Sequence, residues 1–347
     1  MKNVLFITAF SVSVCLSQFA IAQSPVALHH AGTVTMFYNA GGFTNAYAAA
    51  LAGDTIYLPG GFFGAITIDK RLAVFGAGHH PDSTLNTYAT QINGTVSLGP
   101  LSDSSHIEGL HITGNLAVST AGIKTDNLKI RRNMIDGQLN LNGDKATPSM
   151  FVEISGNVIR SSVDLSNTLS VVLTNNILQS RVHYVYQGSI SNNVFNSTPY
   201  YSYPYYSYNN IFDVDNSKVE NNVFVHPDGA VVFLECDNTL ISKNLFAHAS
   251  INFTNNMPSG NYIGVGSANV LLNWTSASYL YTDNYHLKTP ETHIGMDATQ
   301  VGIYGGLRPW KEGSLPLNPH IQSKTIADKT DAAGKIQVQV KVVAQSN

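Results

Sequence analysis

Residues Glu153-Ile154-Ser155-Gly156-Asn157-Val158-Ile159 form the short unit that decides the fold of this 347-residue chain. A polar-apolar alternation leads into an Asn, and two apolar residues follow it. The Asn of this unit recurs along the middle of the sequence as Asn133, Asn157, Asn176, Asn193, Asn210, Asn222 and Asn244. Repetition of this kind is typical of solenoids, in which equivalent residues of successive repeats stack along one axis.

The spacing between successive Asn residues varies from 12 to 24. A constant core of strand and turn, joined by loops of different length, explains such variation. We therefore predict an all-β fold, a right-handed single-stranded parallel β-helix with strands of about three to five residues. The apolar residues expected to stack inside it are Ile130, Ile154, Leu173, Ile190, Val219 and Ile241.

The recurring Asn has two physical explanations. A sharp bend between strands needs a residue that tolerates the left-handed backbone region, which Asn visits readily. Its amide can also hydrogen-bond to the equivalent Asn one coil away, as in stacked cross-β ladders. Both explanations are structural, so we predict a ladder of Asn side chains and no ligand site at these positions.

The sequence outside the repeats predicts three parts of the chain. Residues 1–22 are typical of a signal peptide, with Lys2, an apolar core and the cleavage pattern Ala20-Ile21-Ala22. Residues 23–290 are expected to form the β-helix, including an N-terminal helical cap at Thr44–Ala52. Residues 291–347 are expected to form a C-terminal capping segment with a period-2 strand at Lys335–Val343. The protein is thus predicted to be secreted, periplasmic or on the cell surface, without a membrane span.

Several segments resemble the pectin-lyase-like superfamily. Gly53–Gly61, Leu72–Gly78 and Ile107–Ile112 resemble its opening coils, and the Asn-apolar-apolar units resemble its parallel β-helix repeats. The resemblance covers roughly residues 40 to 300. The C-terminal segments Gly302–Gly306 and Pro316–Pro319 resemble the tail of uncharacterised secreted β-helix proteins of Bacteroidetes-type bacteria.

The superfamily contains polysaccharide lyases, glycoside hydrolases, epimerases, esterases and non-enzymatic adhesins. The resemblance therefore implies a polysaccharide partner rather than one reaction, because many activities share the fold. None of the superfamily's catalytic patterns maps residue by residue onto this chain.

The composition of the chain also favours a polysaccharide partner. Charged residues make up 12% of the chain and the net charge is −3, without a basic stretch, which argues against a nucleic-acid partner. The segment Pro199–Tyr208 contains six Tyr, whose rings present a flat apolar face and a hydroxyl to a sugar. Tyr201, Tyr203 and Tyr206 are the predicted substrate-binding residues; the alternative is that they pack on the side of the coils.

Catalytic candidates come from the position three residues after each recurring Asn. This position predicts one ridge that contains Asp136, Arg160 and Asp213. An acid and a base side by side suit proton transfer, although they equally suit a surface ion pair. No metal or cofactor is expected, except calcium if the protein is a lyase.

Three functions remain open on these observations. The leading hypothesis is a non-catalytic secreted β-helix protein that binds polysaccharide or another cell-surface polymer. The second is a polysaccharide lyase or glycoside hydrolase acting on a uronate-containing polymer. The third is a structural surface adhesin.

Overall fold

The computed structural model describes residues 25–38, 41–196, 210–225, 232–274, 278–317 and 319–344 of the chain. Within these ranges the fold is nearly all β-structure, with one α-helix, α1 (Gly42–Ala49). Three short 3-10 helices lie at Ser267–Asn269, Pro290–Thr292 and Glu312–Ser314. None of the described helices has the length and apolar character needed to cross a membrane.

The described strands are short and follow one another along the whole chain. The first half comprises β1 (Val26–His30), β2 (Thr33–Phe37), β3 (Thr55–Tyr57), β4 (Gly61–Ile68), β5 (Ala73–Phe75), β6 (Thr90–Leu98), β7 (His106–Glu108), β8 (His111–Ile112), β9 (Leu116–Val118), β10 (Lys129–Arg131), β11 (Met134–Ile135), β12 (Leu139–Asn140), β13 (Ser149–Met150), β14 (Glu153–Ser155), β15 (Val158–Ile159), β16 (Val163–Asp164) and β17 (Thr168–Leu169). The second half comprises β18 (Val172–Thr174), β19 (Ile177–Leu178), β20 (Val182–Tyr186), β21 (Ser189–Ser191), β22 (Val194–Phe195), β23 (Ile211–Asp215), β24 (Lys218–Glu220), β25 (Val223–Phe224), β26 (Phe233–Leu234), β27 (Leu240–Ser242), β28 (Leu245–Phe246), β29 (Met257–Ser259), β30 (Tyr262–Ile263), β31 (Leu271–Asn273), β32 (Asn284–Leu287), β33 (His320–Ile326) and β34 (Val338–Val343).

Two large sheets contain most of these strands. The first sheet has the order β2-β1-β3-β5-β7-β10-β14-β18-β21-β24-β27-β29, and every pair from β3 to β29 is parallel. The second sheet contains the parallel strands that lie between successive members of the first, such as β11 and β12 between β10 and β14. The predicted all-β fold with stacked parallel strands is confirmed, and the arrangement is compatible with a parallel β-helix.

The interior is built from columns of like residues. The six predicted core residues, from Ile130 to Ile241, pair with one another in register through the first sheet, and each is fully buried. In the second sheet, Phe195, Phe224 and Phe246 stack with ring centroids 4.5 and 4.8 Å apart. Stacking of buried rings adds to the free energy gained by burying their area.

A ladder of Asn side chains, buried at every member except the half-buried last one, runs along the corner that follows the first sheet. We call it the inner column, and its members are Asn133, Asn157, Asn176, Asn193, Asn222, Asn244 and Asn261. Each member before the last donates its backbone N–H and its side-chain Nδ2–H to Oδ1 of the next, for example Asn157 to Asn176 at 2.8 and 3.0 Å. The predicted hydrogen-bonded ladder is confirmed.

Three details of the predicted ladder are wrong. Asn210 is not a member, because the coil between Asn193 and Asn222 spans 29 residues and Asn210 falls in its middle, next to β23. Asn261 takes the last place in the column. The left-handed backbone belongs to the residue before each ladder Asn, as in Asn175 with a φ of 55°.

These preceding residues form a second line, which we call the outer column. All have positive φ, and they are Arg132, Gly156, Asn175, Asn192, Asn221, Lys243 and Gly260. The sequence pattern suggested that one Asn makes both the bend and the hydrogen bonds, but at each corner two successive residues share these roles. The outer residue supplies the backbone bend, and the inner residue supplies the stacked hydrogen bonds.

The predicted helix is present but shifted. It begins at Gly42 rather than Thr44 and ends at Ala49 rather than Ala52. It ends early because the Asp54 carboxylate accepts the N–H of Leu51 at 2.8 Å and holds residues 51–54 in a turn. The C-terminal strand lies at Val338–Val343, close to its predicted position, and pairs antiparallel with β33.

Candidate functional site

A C-terminal segment, residues 294–317, lies along the outer column, and we call it the strap. Asn175 Nδ2 donates to the carbonyl oxygens of Ile303 and Gly305, both at 2.8 Å. Asn221 Oδ1 accepts the N–H of Met296 at 2.8 Å, so outer-column Asn side chains hold the strap at two levels. Val301 and Ile303 of the strap are buried in an apolar cluster with residues of β11, β15, β22 and β25.

Two neighbouring cavities lie between the strap and the first sheet, and Leu307 and Arg308 line both. The first, about 490 Å³, we call the basic pocket; its charged lining residues are Arg131, Arg132, Arg308 and Lys311. The second, about 630 Å³, we call the groove. It extends across β14, β18, β21 and β24 towards Met296.

Glu153 lies where the two cavities meet. Arg131 donates to it twice, from Nε to Oε1 at 2.9 Å and from an Nη to Oε2 at 2.6 Å, and Arg308 donates to Oε1 from the strap. Burial opposes ionisation of Glu153, but the Arg131 hydrogen bonds and the charges of both Arg outweigh it, so the pKa of Glu153 is lowered. The ionised carboxylate thus connects the strap to the sheet.

Glu108 forms a second, fully buried connection to the strap. Its Oε1 accepts the N–H of Leu317 at 2.7 Å and lies 3.5 Å from an Nη of Arg132, while His106 Nε2 lies 2.8 Å from Oε2. Burial raises the pKa of Glu108, and the contacts with His106, Leu317 and Arg132 lower it by more, so the net direction is down. Glu108 is therefore ionised at neutral pH.

The groove combines exposed apolar surface with neutral polar groups, and its charged lining residues are Glu153, Glu220, Asp297 and Arg308. Phe151 is 59% exposed, and Leu307 of the strap is fully exposed. Thr174, Ser189 and Ser191 of the first sheet add hydroxyl groups to the lining. An aromatic face beside hydroxyl donors and acceptors suits a ligand with an apolar ring face and a polar rim.

Two of the three predicted catalytic residues are brought together. Arg160 donates from an Nη to Asp136 Oδ1 at 3.1 Å, and His111 Nε2 lies 2.9 Å from Asp136 Oδ2. All three side chains are partly exposed. The sequence analysis did not predict His111. A signal for it was present in the repeat, because His111 is the register partner of Met134, which lies two residues before Asp136.

The surroundings of this cluster are more buried. Tyr281 donates its hydroxyl to the His79 carbonyl at 3.0 Å and stands beside Met134. Burial, followed by the charges of His111, His80 and Arg160, lowers the pKa of His79 to about 3. His79 is therefore neutral at physiological pH.

Asp213 does not lie on the ridge with Asp136 and Arg160, and this prediction is wrong. The ridge position of its coil is Val225, because Phe195 pairs in register with Phe224 and Val225 donates its N–H to the Phe195 carbonyl. Asp213 lies instead in β23, which pairs with β20 and β26. The error follows from the misplaced Asn210, from which the position of Asp213 was counted.

Acidic residues around Asp213 change its protonation. Burial, followed by the charges of Asp215, Glu235 and Asp237, raises the pKa of Asp213. Asp215 Oδ1 accepts the N–H of Asp237 at 2.8 Å, so one carboxylate of the group is occupied by the backbone. In the part of the chain that the structure describes, no three His, Cys, Asp or Glu side chains are arranged to hold a metal ion.

The predicted binding residues Tyr201, Tyr203 and Tyr206 lie outside the described residues, and so does the predicted signal peptide. The basic pocket and the groove were missed by sequence reasoning. Arg131 and Arg132 belong to one repeat, but Arg308 and Lys311 come from the strap, more than 150 residues later. The Asn that precedes a ladder Asn, as at Asn175 and Asn221, is a local feature that marks where the strap lies.

Comparison of the chain with protein-family models, with curated proteins and with solved structures finds no match in any of the three.

Proposed function

We propose that this chain is an exported, right-handed parallel β-helix of the pectin-lyase-like type that binds polysaccharide or another cell-surface polymer in the groove. The parallel pairing of short strands supports the fold, because connections between parallel strands of one sheet are right-handed in nearly all proteins. Helix α1 is the proposed N-terminal cap, since Phe43 and Ala46 are buried with the core at that end.

The observation that carries the proposal is the composition of the groove. A ligand chain lying across β14, β18 and β21 meets the exposed ring of Phe151 and the hydroxyls of Thr174, Ser189 and Ser191. Sugar rings have apolar faces and hydroxyl rims, which match these two kinds of surface. Because the groove crosses several strands at the surface, a polymer can enter it from the side rather than by its end.

Binding to a panel of immobilised polysaccharides tests the proposal. Phe151→Ala removes the stacking surface, and we expect it to weaken binding about tenfold, which corresponds to about 1.4 kcal/mol. Phe62→Ala is the matched control, because Phe62 is another well-exposed Phe, in β4, that does not line the groove. Equal affinity of wild type and Phe151→Ala for every polymer retained would contradict binding in the groove.

The predicted Tyr platform is a separate part of the same experiment. Replacement of Tyr201, Tyr203 and Tyr206 with Ala is expected to reduce retention further if the platform extends the groove. Retention that depends on these three Tyr but not on Phe151 would place the polymer elsewhere.

A uronate-cleaving enzyme is the second candidate, favoured by the contact of Asp136 with both His111 and Arg160. A His oriented by a carboxylate can accept a proton, and a nearby Arg can neutralise a uronate. Incubation with pectate or alginate, with and without calcium, would give an unsaturated product that absorbs in the ultraviolet, or new reducing ends for a hydrolase. Asp136→Asn should abolish either product.

A further inference from the structure

We propose that the basic pocket binds a tetrahedral oxyanion, a phosphate or sulfate ester carried by the polymer that lies in the groove. The pocket joins the groove at Leu307 and Arg308, so a substituent on a bound chain can reach it. The identification of the ester's carrier as a polymer rests on the proposed function. The affinity of the pocket for the free ion does not.

The charges of the pocket favour an anion. Arg131, Arg132 and Arg308 line it together with Lys311. Two carboxylates, Glu108 and Glu153, contact the three Arg, which leaves the Arg with one positive charge more than their carboxylate partners. Burial and the neighbouring Arg131 and Arg308 lower the pKa of Arg132 against the opposing effect of Glu108, in keeping with this surplus.

A buried hydroxyl gives independent support. Ser314 lines the pocket, is 2% exposed, and its Oγ has no hydrogen-bond partner among the described residues. A buried polar atom without a partner is costly, which points to a ligand oxygen at this position. The Ser314 hydroxyl can donate to such an oxygen in a pocket that Lys311 also lines.

The shape of the donor set favours a tetrahedral anion over a carboxylate. Arg131 already uses its Nε and one Nη to bind Glu153. This two-point contact is the geometry in which Arg binds a planar carboxylate, and Glu153 already occupies it. Arg132 and Arg308 each have one Nη in a carboxylate contact, and their second Nη groups, with the Ser314 hydroxyl, are donors from the corner after β10 and from the strap. Donors that approach from several sides suit an anion with three free oxygens.

Titration of the full chain with inorganic phosphate, sulfate and acetate tests the inference by calorimetry. We expect phosphate and sulfate to bind, and Lys311→Gln combined with Ser314→Ala to weaken binding at least about tenfold, in line with the loss of one charged and one neutral donor. Lys243→Gln is the control, because Lys243 is an outer-column cation that does not line the pocket. Acetate binding as tight as that of phosphate, or no binding of either oxyanion, would overturn the inference.

Binding tests with polymers distinguish a phosphate ester from a sulfate ester. They also distinguish a failure of this inference from a failure of the proposed function. Phosphorylated and sulfated forms of one polysaccharide, compared with the neutral form, identify the ester. If the neutral polymer binds and the ions do not, the inference fails and the proposed function survives. If the ions bind and no polymer does, the pocket stands and the polymer is excluded.

Discussion

The inner and outer columns are adjacent in sequence, yet they obey different rules. Every member of the inner column is Asn, because each side chain must both donate to and accept from its neighbours in a buried stack. The outer column shares only a positive φ and contains Arg, Gly, Asn and Lys. The difference teaches that the ladder fixes residue identity, whereas the bend fixes only backbone conformation and leaves the side chain available for other contacts.

Some side chains of the outer column make contacts outside the column. Asn175 and Asn221 bind the strap, and Arg132 lines the basic pocket. A non-Gly residue in the left-handed region costs roughly 1–2 kcal/mol, least for Asn. Arg132 has this cost, and its guanidinium lies in the lining of the basic pocket, 3.5 Å from the Glu108 carboxylate.

The largest expected effect comes from breaking the inner column. Asn193→Ala removes the acceptor of two Asn176 donors and the donor to the Leu173 carbonyl, all buried. We expect a loss of about 3–4 kcal/mol in the free energy of unfolding, measured by urea denaturation. Asn192→Gly, one residue earlier, is the control and should lose less than about 1 kcal/mol, because Gly adopts the same backbone. Equal losses would remove the distinction between the columns.

A smaller and more local effect is expected in the outer column. Asn175→Gly keeps the positive φ but removes the donor to two strap carbonyls, so we expect a loss of about 1–2 kcal/mol. The strap should open before the sheets do, which limited trypsin digestion would detect as faster cleavage after Lys311. Asn192→Gly is again the control, because the Asn192 side chain packs against Gly305 and Gly306 of the strap but its Nδ2 has no hydrogen-bond partner among the described residues, so the pair separates lost hydrogen bonds from lost packing. Unchanged cleavage would show that Asn175 does not hold the strap.

The two columns also show what sequence could and could not predict. The ladder and the column of buried aliphatic residues could be predicted from a local repeat, because each coil contains the same strand and turn. Asn210 was misplaced because an Asn before two apolar residues does not reveal how long its coil is, and Asp213 was misplaced with it. The strap contacts, such as Leu317 with Glu108, join residues 209 apart and have no periodicity.

The smallest expected effect tests a positive-φ residue outside both columns. Asp213 has a φ of 51°, and burial with its acidic neighbours raises its pKa, so its ionisation opposes folding. Asp213→Asn keeps a side chain that tolerates this backbone and removes the charge. We expect a gain of less than about 1 kcal/mol at pH 7, discounted for partial exposure. The gain should disappear at about pH 3, where the carboxyl is protonated in both the folded and the unfolded chain. A gain of the same size at both pH values would assign it to packing, because only the charge depends on pH.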